Sequence, residues 1–497
     1  MLKSTKIQLF FGAMNDGAAL LDSPLAAPRG RQTLQRQLLQ RLKQSILDGR
    51  LPPGSRLPAS RALADQLGVS RNTVLLAYGQ LTAEGYVLAD RQGTRVAPLP
   101  SAPRARPPQG APSAPTARRI ARIPASAPPA EPGVALRPGT PALSHFPLGA
   151  WRRAVDRALR NMPLATLGYG DPAGEPALRQ AIARHLGISR GVRCAADQIV
   201  ITEGAQEALS LCARLVGNPG DTAWVEDPGY RGAKTALQAS DLRIVPVPVD
   251  EQGIAPADSL WRRRPPRLIY ATPSHQYPTG AVLAAARRLA LLERARQAGA
   301  WIIEDDYDSE FRHHGEPIPA MQGLAEDTPV LYAGTFSKTM FPALRIGFLV
   351  VPPALDGPSR IAVQELLRGG HRHEQLALAE FIDSGQFARH LGRMRRLYRD
   401  RQQALRAALA RYLALPHQLV GGQGGLHLTL RLPARYPDQA IAAEARRAGM
   451  APAALSGFAL RPAGHNGLVL GYGNTPAELF EPLIKRLAAI IEACAGR

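Results

Sequence analysis

The hydrophobic pattern changes period along the chain, and each change marks a different kind of element. In "LQRQLLQRLKQSILDG", Leu34, Leu38, Leu42 and Ile46 recur every four residues, which predicts an amphipathic helix with Gly49 as its stop. "LPPGSRLP" reads as a turn, and "SRALADQLG" as a short helix with Ser60 as its N-cap. "GVSRNTVLLAYGQLTAEGY" predicts a third helix, capped by Ser70 and ended by Gly85, with Val74, Ala77 and Leu81 facing inward. "YVLADRQGTRVAP" then reads as two short strands around an Arg-Gln-Gly turn. These elements make a small domain over 34–97, preceded by an N-terminal extension, 1–33.

Periodicity stops between 98 and 133, where eleven prolines fall from Pro98 to Pro132 among Ala, Ser and Arg. Such a stretch buries no core, so an extended, semi-rigid linker is expected. From 134 to 497 strand and helix signals alternate. "QIVITEG", "TAWVEDPG", "LIYATPS", "WIIEDDYD" and "PVLYAGT" are buried-strand candidates, with helical patterns such as 283–298 and 375–413 between them. That alternation predicts an α/β domain built on a mostly parallel sheet. No internal repeat is visible.

A chain of 497 residues is too long for one core, so two or more domains are expected. Net charge is +21, which points to a polyanionic partner, most simply nucleic acid. Arg29 to Pro98 holds 11 Lys+Arg against 4 Asp+Glu, and Leu99 to Gly133 holds 5 against 1. About half of the excess, +7 and +4, thus lies in roughly a fifth of the chain. Within the linker, Arg104, Arg106, Arg118, Arg119 and Arg122 are candidates for extra phosphate contacts. Cys194, Cys212 and Cys494 are few, odd in number and without metal-type spacing, which suits a reducing, cytoplasmic setting with no disulfide framework and no metal site. "IQLFFGAM" is apolar but short, so neither a signal peptide nor a membrane span is expected.

Three helices followed by a hairpin describe a winged helix-turn-helix. The start of its third helix carries Ser70, Arg71, Asn72 and Thr73, whose donors and helix-end dipole suit base edges and phosphates. Arg61 lies on the preceding helix. Arg91, Gly93 and Arg95 lie on the wing, where a glycine lets the backbone approach a duplex. "RLPASRALADQLGVSRNTVLLAYGQLTAEGY" resembles the GntR-type winged helix nearly throughout, which implies binding to double-stranded operator DNA.

The large domain carries one lysine in a telling context, "TFSKTMFPALRIG". An amine that forms an imine with an aldehyde cofactor must spend time unprotonated, so Lys338 is expected in a pocket of low polarity. Thr335, Ser337 and Arg345 beside it are good phosphate ligands. Together they suggest pyridoxal 5′-phosphate. That cofactor also needs a carboxylate for its ring nitrogen, and Asp305 in "WIIEDDYDSEF" ends a buried strand, with Tyr307 available to the ring hydroxyl. Gly204, Ala205 and Gln206 open a helix in "TEGAQEALSL", where backbone N–H groups can take phosphate. Tyr230 in "EDPGYRG" is an aromatic for the ring face.

The run of "YGDPAGEPALRQAIARHL", "TEGAQEAL", "EDPGY", "TPSHQYPTG", "EDDYDSEFR" and "GTFSKTMFPALRIGF" resembles the fold-type I aminotransferases over essentially all of 134–497. Joined to the winged helix, the chain looks like the MocR-type subgroup of the GntR regulators. The resemblance implies a head-to-tail homodimer that binds pyridoxal phosphate on Lys338 and senses a small-molecule effector. It also implies Asp305 at the pyridine nitrogen, Tyr307 at the ring hydroxyl and Tyr230 on the ring. Ala205, Gln206, Thr335, Ser337 and Arg345 would hold the phosphate.

Two departures set the chain apart from a working aminotransferase. Tyr277 stands where the family's "NPTG" turn has asparagine, which leaves His275 or Gln276 as candidates near the cofactor. The arginine that pairs with a substrate carboxylate is replaced by Val469 in "GLVLGYGN". The nearest alternative, Arg461, falls in the loop before that strand. A second arginine, two residues after the stacking tyrosine in amino-acid-sensing relatives, is Gly232 here. The expectation is a regulator answering to pyridoxal phosphate itself, as in the vitamin-B6-sensing branch, or to an amine or amino acid. At most it keeps residual transaminase activity. The alternative is an active aminotransferase.

Overall fold

The computed structural model describes residues 33–99 and 134–495, apart from 326 and 368, together with 25, 117–121 and 123. The chain divides into two compact units, 1–115 and 116–497. The N-terminal extension lies outside the described residues except for 25 and 33, and so does most of the linker.

The first unit packs α1 (Leu34–Leu47), α2 (Ser60–Leu67) and α3 (Arg71–Ala83) beside the hairpin of β1 (Val87–Asp90) and β2 (Gly93–Val96). Leu38, Leu42 and Ile46 of α1 meet Leu63 and Leu67 of α2 and Val74, Ala77 and Leu81 of α3, with Val87 and Val96 closing the core. Leu34 sits at the first helical position and is only half-buried. Thr33 caps α1 through Arg36 N at 3.3 Å. The α2 cap differs from expectation. Ala59 is the capping residue and Ser60 is already helical. The Ser60 hydroxyl instead accepts from Arg71 Nε at 3.4 Å, tying the start of α2 to the start of α3. Gly68, at φ 63°, makes the left-handed turn between them. Ser70 caps α3 as expected, its Oγ accepting from Thr73 N at 3.2 Å. The wing gains a third backbone partner, since Leu57 N donates to Thr94 O at 2.9 Å.

The second unit is built on an eight-stranded sheet. Its strands are β3 (Ile199–Thr202), β4 (Thr222–Asp227), β5 (Arg243–Asp250), β6 (Gly253–Ile254), β7 (Leu268–Ala271), β8 (Trp301–Asp306), β9 (Val330–Thr335) and β10 (Gly347–Val350). The spatial order is β3-β10-β9-β8-β7-β4-β5-β6. Strands β9, β8, β7, β4 and β5 are parallel. Because β10 is antiparallel to both β9 and β3, β3 runs with the parallel set. The carboxyl ends of β3, β4, β7, β8 and β9 and the amino end of β10 therefore share one edge, where open α/β sheets bind ligands. The continuous apolar runs in β3, β7 and β9 follow from burial on both faces.

A second, antiparallel sheet orders β11 (Gln418–Val420), β12 (His427–Arg431), β13 (Ala453–Ala454) and β14 (Gly467–Gly471) as β11-β12-β14-β13. The helix expected over 375–413 is two helices, Arg372–Asp383 and Gln386–Tyr412. Gly385, at φ 73°, breaks it. The linker also departs from a uniformly extended strand, because Arg118–Ala121 forms one helical turn. There Arg119 pairs with Asp241 at 2.9 Å, which occupies one of the proposed phosphate contacts. Arg104, Arg106, Arg122 and the Arg118 side chain lie outside the described residues. No helix of the described residues is long and apolar enough to cross a membrane.

The Ser70 cap generates the first prediction. Ser70→Ala frees the Thr73 N–H and should cost the winged-helix unit about 1 kcal/mol, read from its urea midpoint. An unchanged midpoint would remove the cap from the account.

Candidate cofactor site and DNA-reading surface

At the shared strand edge lies a cavity of about 320 Å³. It is lined by nearly all of the residues singled out from the sequence for a cofactor: Ala205, Gln206, Tyr230, Asp305, Tyr307, Thr335, Ser337, Lys338 and Arg345. Gly204 adjoins it as the capping residue of the helix Ala205–Val216, at φ 83°. The walls also include Pro138, Gly139, Tyr270, Tyr277 and Pro342.

Period-two alternation at the end of β8 gives each acid of "EDDYD" a different duty. Glu304 accepts from Met321 N at 2.8 Å and Gln322 N at 3.0 Å. Asp306 pairs with Arg190 at 2.7 Å and accepts from Tyr332 OH at 2.5 Å. Asp308 faces His275 Nδ1 at 3.0 Å. Asp305 points the other way, into the cavity. Its Oδ2 accepts from Tyr270 OH at 2.7 Å, and its Oδ1 is buried with no partner among the described residues. Burial pushes the Asp305 carboxyl up to about 7, against the pull of the Tyr270 hydroxyl and Lys338.

Lys338 approaches from the turn after β9. Its Nζ donates to Gly139 O at 2.7 Å. Burial lowers the affinity of this amine for its proton, opposed by Asp308 and Asp305. Such an amine spends more time unprotonated than a surface lysine does. The helix Ala205–Val216 begins at the cavity with no side-chain cap on its first N–H groups. Thr335 Oγ1 and Ser337 Oγ lie 3.1 Å apart beside it. Arg345 Nη2 donates to Glu203 O at 2.6 Å, which holds its guanidinium at the helix start. A Cβ on Gly204 would come within 3.4 Å of that guanidinium. These donors converge as an anion cradle. The Gln206 amide, by contrast, is turned to Gly232 O at 3.0 Å, so only its backbone faces the cradle.

The turn after β7 corrects one expectation. Neither His275 nor Gln276 lines the cavity; Tyr277 does. The Gln276 amide donates to Glu226 Oε2 at 3.1 Å and Pro228 O at 2.9 Å. His275 stands behind Tyr307. The Tyr277 ring meets Tyr230 edge-on at 6.1 Å and Phe458 at 5.2 Å. Val469, which stands in place of the expected clamp arginine, is fully buried in β14. Arg461 is exposed in the preceding loop, its backbone N–H donating to Asp227 Oδ2 at 3.1 Å. At Gly232 a Cβ would sit 2.4 Å from the Tyr230 ring, so no longer side chain fits with Tyr230 where it is.

On the first unit, Ser70, Arg71 and Asn72 are exposed and Thr73 half-buried at the start of α3. Arg61 is exposed one residue into α2, at the corner that the Arg71–Ser60 bond closes. Arg91 and Gly93 are exposed at the hairpin turn, and Arg95 reaches Gln92 at 3.4 Å. Arg56, bridged to Arg95 across the backbone and also exposed, is a further cation of this surface. The sequence reading passed over it because it lies in a turn and not on a helix.

A winged-helix reader joined to a fold-type I aminotransferase body is the class these features define. The family model for bacterial regulatory proteins of the gntR family matches residues 34–96, and that for aminotransferase class I and II matches 135–451. The chain is 41% identical to the probable rhizopine catabolism regulatory protein MocR of Rhizobium meliloti, over 88% of this chain and 90% of that protein. It is 35% identical to the HTH-type pyridoxine biosynthesis transcriptional regulator PdxR of Corynebacterium glutamicum, over 92% and 95%. The large unit is similar to LysN, an alpha-aminoadipate aminotransferase from Thermus thermophilus solved with N-(5′-phosphopyridoxyl)-L-leucine. That similarity has a TM-score of 0.70 and 27% identity over 76% of this chain and 97% of that one. The chain belongs to the MocR-type subgroup of the GntR family of transcription regulators.

The cavity fits pyridoxal phosphate. It offers a buried carboxylate oxygen with no partner for a ring N–H, a desolvated amine, and a cradle of helix N–H groups, hydroxyls and the Arg345 guanidinium for an anion.

A prediction follows from the sign of the Asp305 shift. Its folded-state proton affinity is raised, so ionising it costs stability as pH rises from about 4 to 7, by on the order of a few kcal/mol. In cofactor-free protein, Asp305→Asn should therefore match the parent near pH 4 and exceed it in unfolding midpoint at pH 8. A variant less stable at both values would contradict the burial argument.

Proposed function

We propose that the chain is a transcription regulator that reads double-stranded DNA with α3 and the wing and holds pyridoxal 5′-phosphate in the large unit. The cofactor itself, or an amine or amino-acid effector, controls promoter binding. The observation that carries this reading is the Asp305 oxygen left without a partner in the same cavity as the desolvated Lys338 amine. When bound, the cofactor supplies an aldehyde that captures amines and a ring that withdraws electrons.

In this reading Lys338 Nζ holds the cofactor covalently. Asp305 Oδ1 accepts the ring N–H while Tyr270 keeps the other oxygen occupied. Tyr230 packs on the ring face and Tyr307 addresses the ring hydroxyl. The N–H groups of Ala205 and Gln206, with Thr335, Ser337 and Arg345, take the phosphate. Residues 34–97 act as the reader, 98–133 as the linker and 134–497 as the effector domain. The reader uses Arg61, Ser70, Arg71, Asn72 and Thr73, with Arg91, Gly93 and Arg95 on the wing. Tyr169 at 99% exposure, with Leu164 and Leu167 beside it in sequence, supports a homodimer that covers them, and head-to-tail is the arrangement proposed. Three free thiols fit a cytoplasmic protein.

The occluded Gly232 position and buried Val469 favour regulation over turnover of ordinary amino acids. An active transaminase is the second reading. A relative named 2-aminoadipate transaminase, from Thermus thermophilus and 28% identical, speaks for it.

Lys338→Ala should abolish the visible absorption of protein mixed with pyridoxal phosphate. Persistence of the band would sink the covalent assignment. Arg71→Ala should weaken specific promoter binding about tenfold or more, measured by fluorescence anisotropy, and an unchanged affinity would remove Arg71 from the interface. Raising salt should weaken binding with a steep linear slope in log–log form as phosphate contacts release counterions.

A further inference from the structure

His275 lies outside the cavity, directly behind one of its walls. The Tyr307 hydroxyl is 3.0 Å from His275 Nδ1 and donates to the His275 carbonyl at 2.9 Å. The same Nδ1 lies 3.0 and 3.1 Å from the two oxygens of Asp308. His275 and Asp308 are 5% and 1% exposed. His275 Nε2 is buried and has no partner among the described residues.

One nitrogen holds one hydrogen, and here two neighbours compete for it. An ionised carboxylate outcompetes a phenol as acceptor, so Asp308 fixes the tautomer with the proton on Nδ1. That choice controls Tyr307. With Nδ1 protonated, the hydroxyl has no imidazole acceptor and must donate to the His275 carbonyl or into the cavity. If its proton turns into the cavity, Nδ1–H can still donate to the phenol oxygen. Without Asp308, Nδ1 can become an acceptor that draws the Tyr307 proton away from the cavity.

We propose that His275 and Asp308 are a buried positioning pair that keeps the Tyr307 hydroxyl a hydrogen-bond donor to the ring oxygen of the bound cofactor. The proposal rests on the cofactor reading given above.

The surrounding charges leave the pair intact. His427, whose ring is 5.0 Å from His275, donates its Nε2–H to Pro278 O at 3.0 Å, and burial drives its pKa down to about 3. His313 is held by Tyr472 at 2.8 Å and driven to about 4. Both are neutral at physiological pH and do not compete for Asp308. Burial, with Asp306 and Glu310, raises the proton affinity of the Asp308 carboxyl, and the His275 hydrogen bond opposes it; Lys338 faces Asp308 through space only, and Tyr277 meets Tyr307 edge-on at 5.8 Å. His275, Asp308 and His427 are close enough to share a cation, within 4.8 Å. The contacts present are hydrogen bonds, His275 Nδ1 to both Asp308 oxygens and His427 to Pro278 O, so the hydrogen-bonded pair is the account tested, with chelation as its control.

The test is a pH titration of the visible absorption of cofactor-loaded protein. A donor to the ring oxygen stabilises its anionic form, so losing the donor raises the spectral midpoint. Asp308→Asn should raise it by about one pH unit, a tenfold change in proton affinity. Asp308→Ala, which leaves Nδ1 free to accept, should do the same and serves if Asp308→Asn does not fold. In a Tyr307→Phe background neither change should move the midpoint further. An unmoved midpoint overturns the proposal, as does a shift that survives in the Tyr307→Phe background or vanishes on chelation. If the parent protein shows no visible band at all, the cofactor reading fails and the pair loses its target. If the band forms but does not shift in the variants, only the pairing falls.

Discussion

The second unit depends on one electrostatic constraint: a carboxylate and an amine, Asp305 and Lys338, are buried in a single cavity. Burial works against the charge on both, raising the proton affinity of the acid and lowering that of the amine. Neither would be retained for stability alone, because an uncompensated buried charge is costly. The sheet makes the arrangement possible. Strand β8 delivers Asp305 and the turn after β9 delivers Lys338 to the same edge, while β3 brings the free helix end and β4 brings Tyr230. The neighbouring acids are engaged away from the cavity, Glu304 by backbone N–H groups, Asp306 by Arg190 and Asp308 by His275. Asp306 also keeps one buried oxygen without a partner among the described residues, but Asp306 does not line the cavity. Asp305 is the acid whose free oxygen can take its second partner from the cavity.

Much of this was legible in the sequence, for reasons of range. A four-residue apolar stripe and an Ser70 cap are local, and the structure shows both. The five apolar runs read as strands are strands, because burial on two faces leaves an unbroken signature. Motif residues on the strand ends were legible for a similar reason: a shared edge follows from parallel order. What escaped depends on register and distance. Tyr270 reaches Asp305 because β7 and β8 pair with Tyr270 opposite Ile303, and Gly139 reaches Lys338 across 199 residues of chain. Neither leaves a local mark. The two helices expected as one are parted by Gly385, whose φ of 73° the apolar periodicity does not reveal. The orientation of His275 and Gln276 was equally hidden, because side chains of a turn can face either way until the opposite wall, here Tyr307 and Glu226, is known.

Separation of chemistry between the units explains why a desolvated lysine sits in a DNA-binding chain. One unit carries exposed cations at a helix start and a wing, the geometry of a groove reader. The other carries an aminotransferase fold in which the two positions expected to grip an amino-acid carboxylate are filled or closed. Val469 is buried in a strand, and Gly232 is packed under Tyr230. On the proposed reading, a body that captured an amine without gripping a carboxylate would be suited to reporting occupancy. For such a report to reach DNA, the ligand must favour one of two arrangements of the protein that differ in affinity for the operator.

The most direct test measures both units of the full chain at once. Promoter affinity is determined by anisotropy with and without pyridoxal phosphate, and the same samples are followed for transamination with a panel of amino donors and keto-acids. A shift in promoter affinity of about tenfold, equivalent to a coupling of about 1.4 kcal/mol, with no steady turnover, is the predicted result. Unchanged affinity together with sustained turnover would contradict the account.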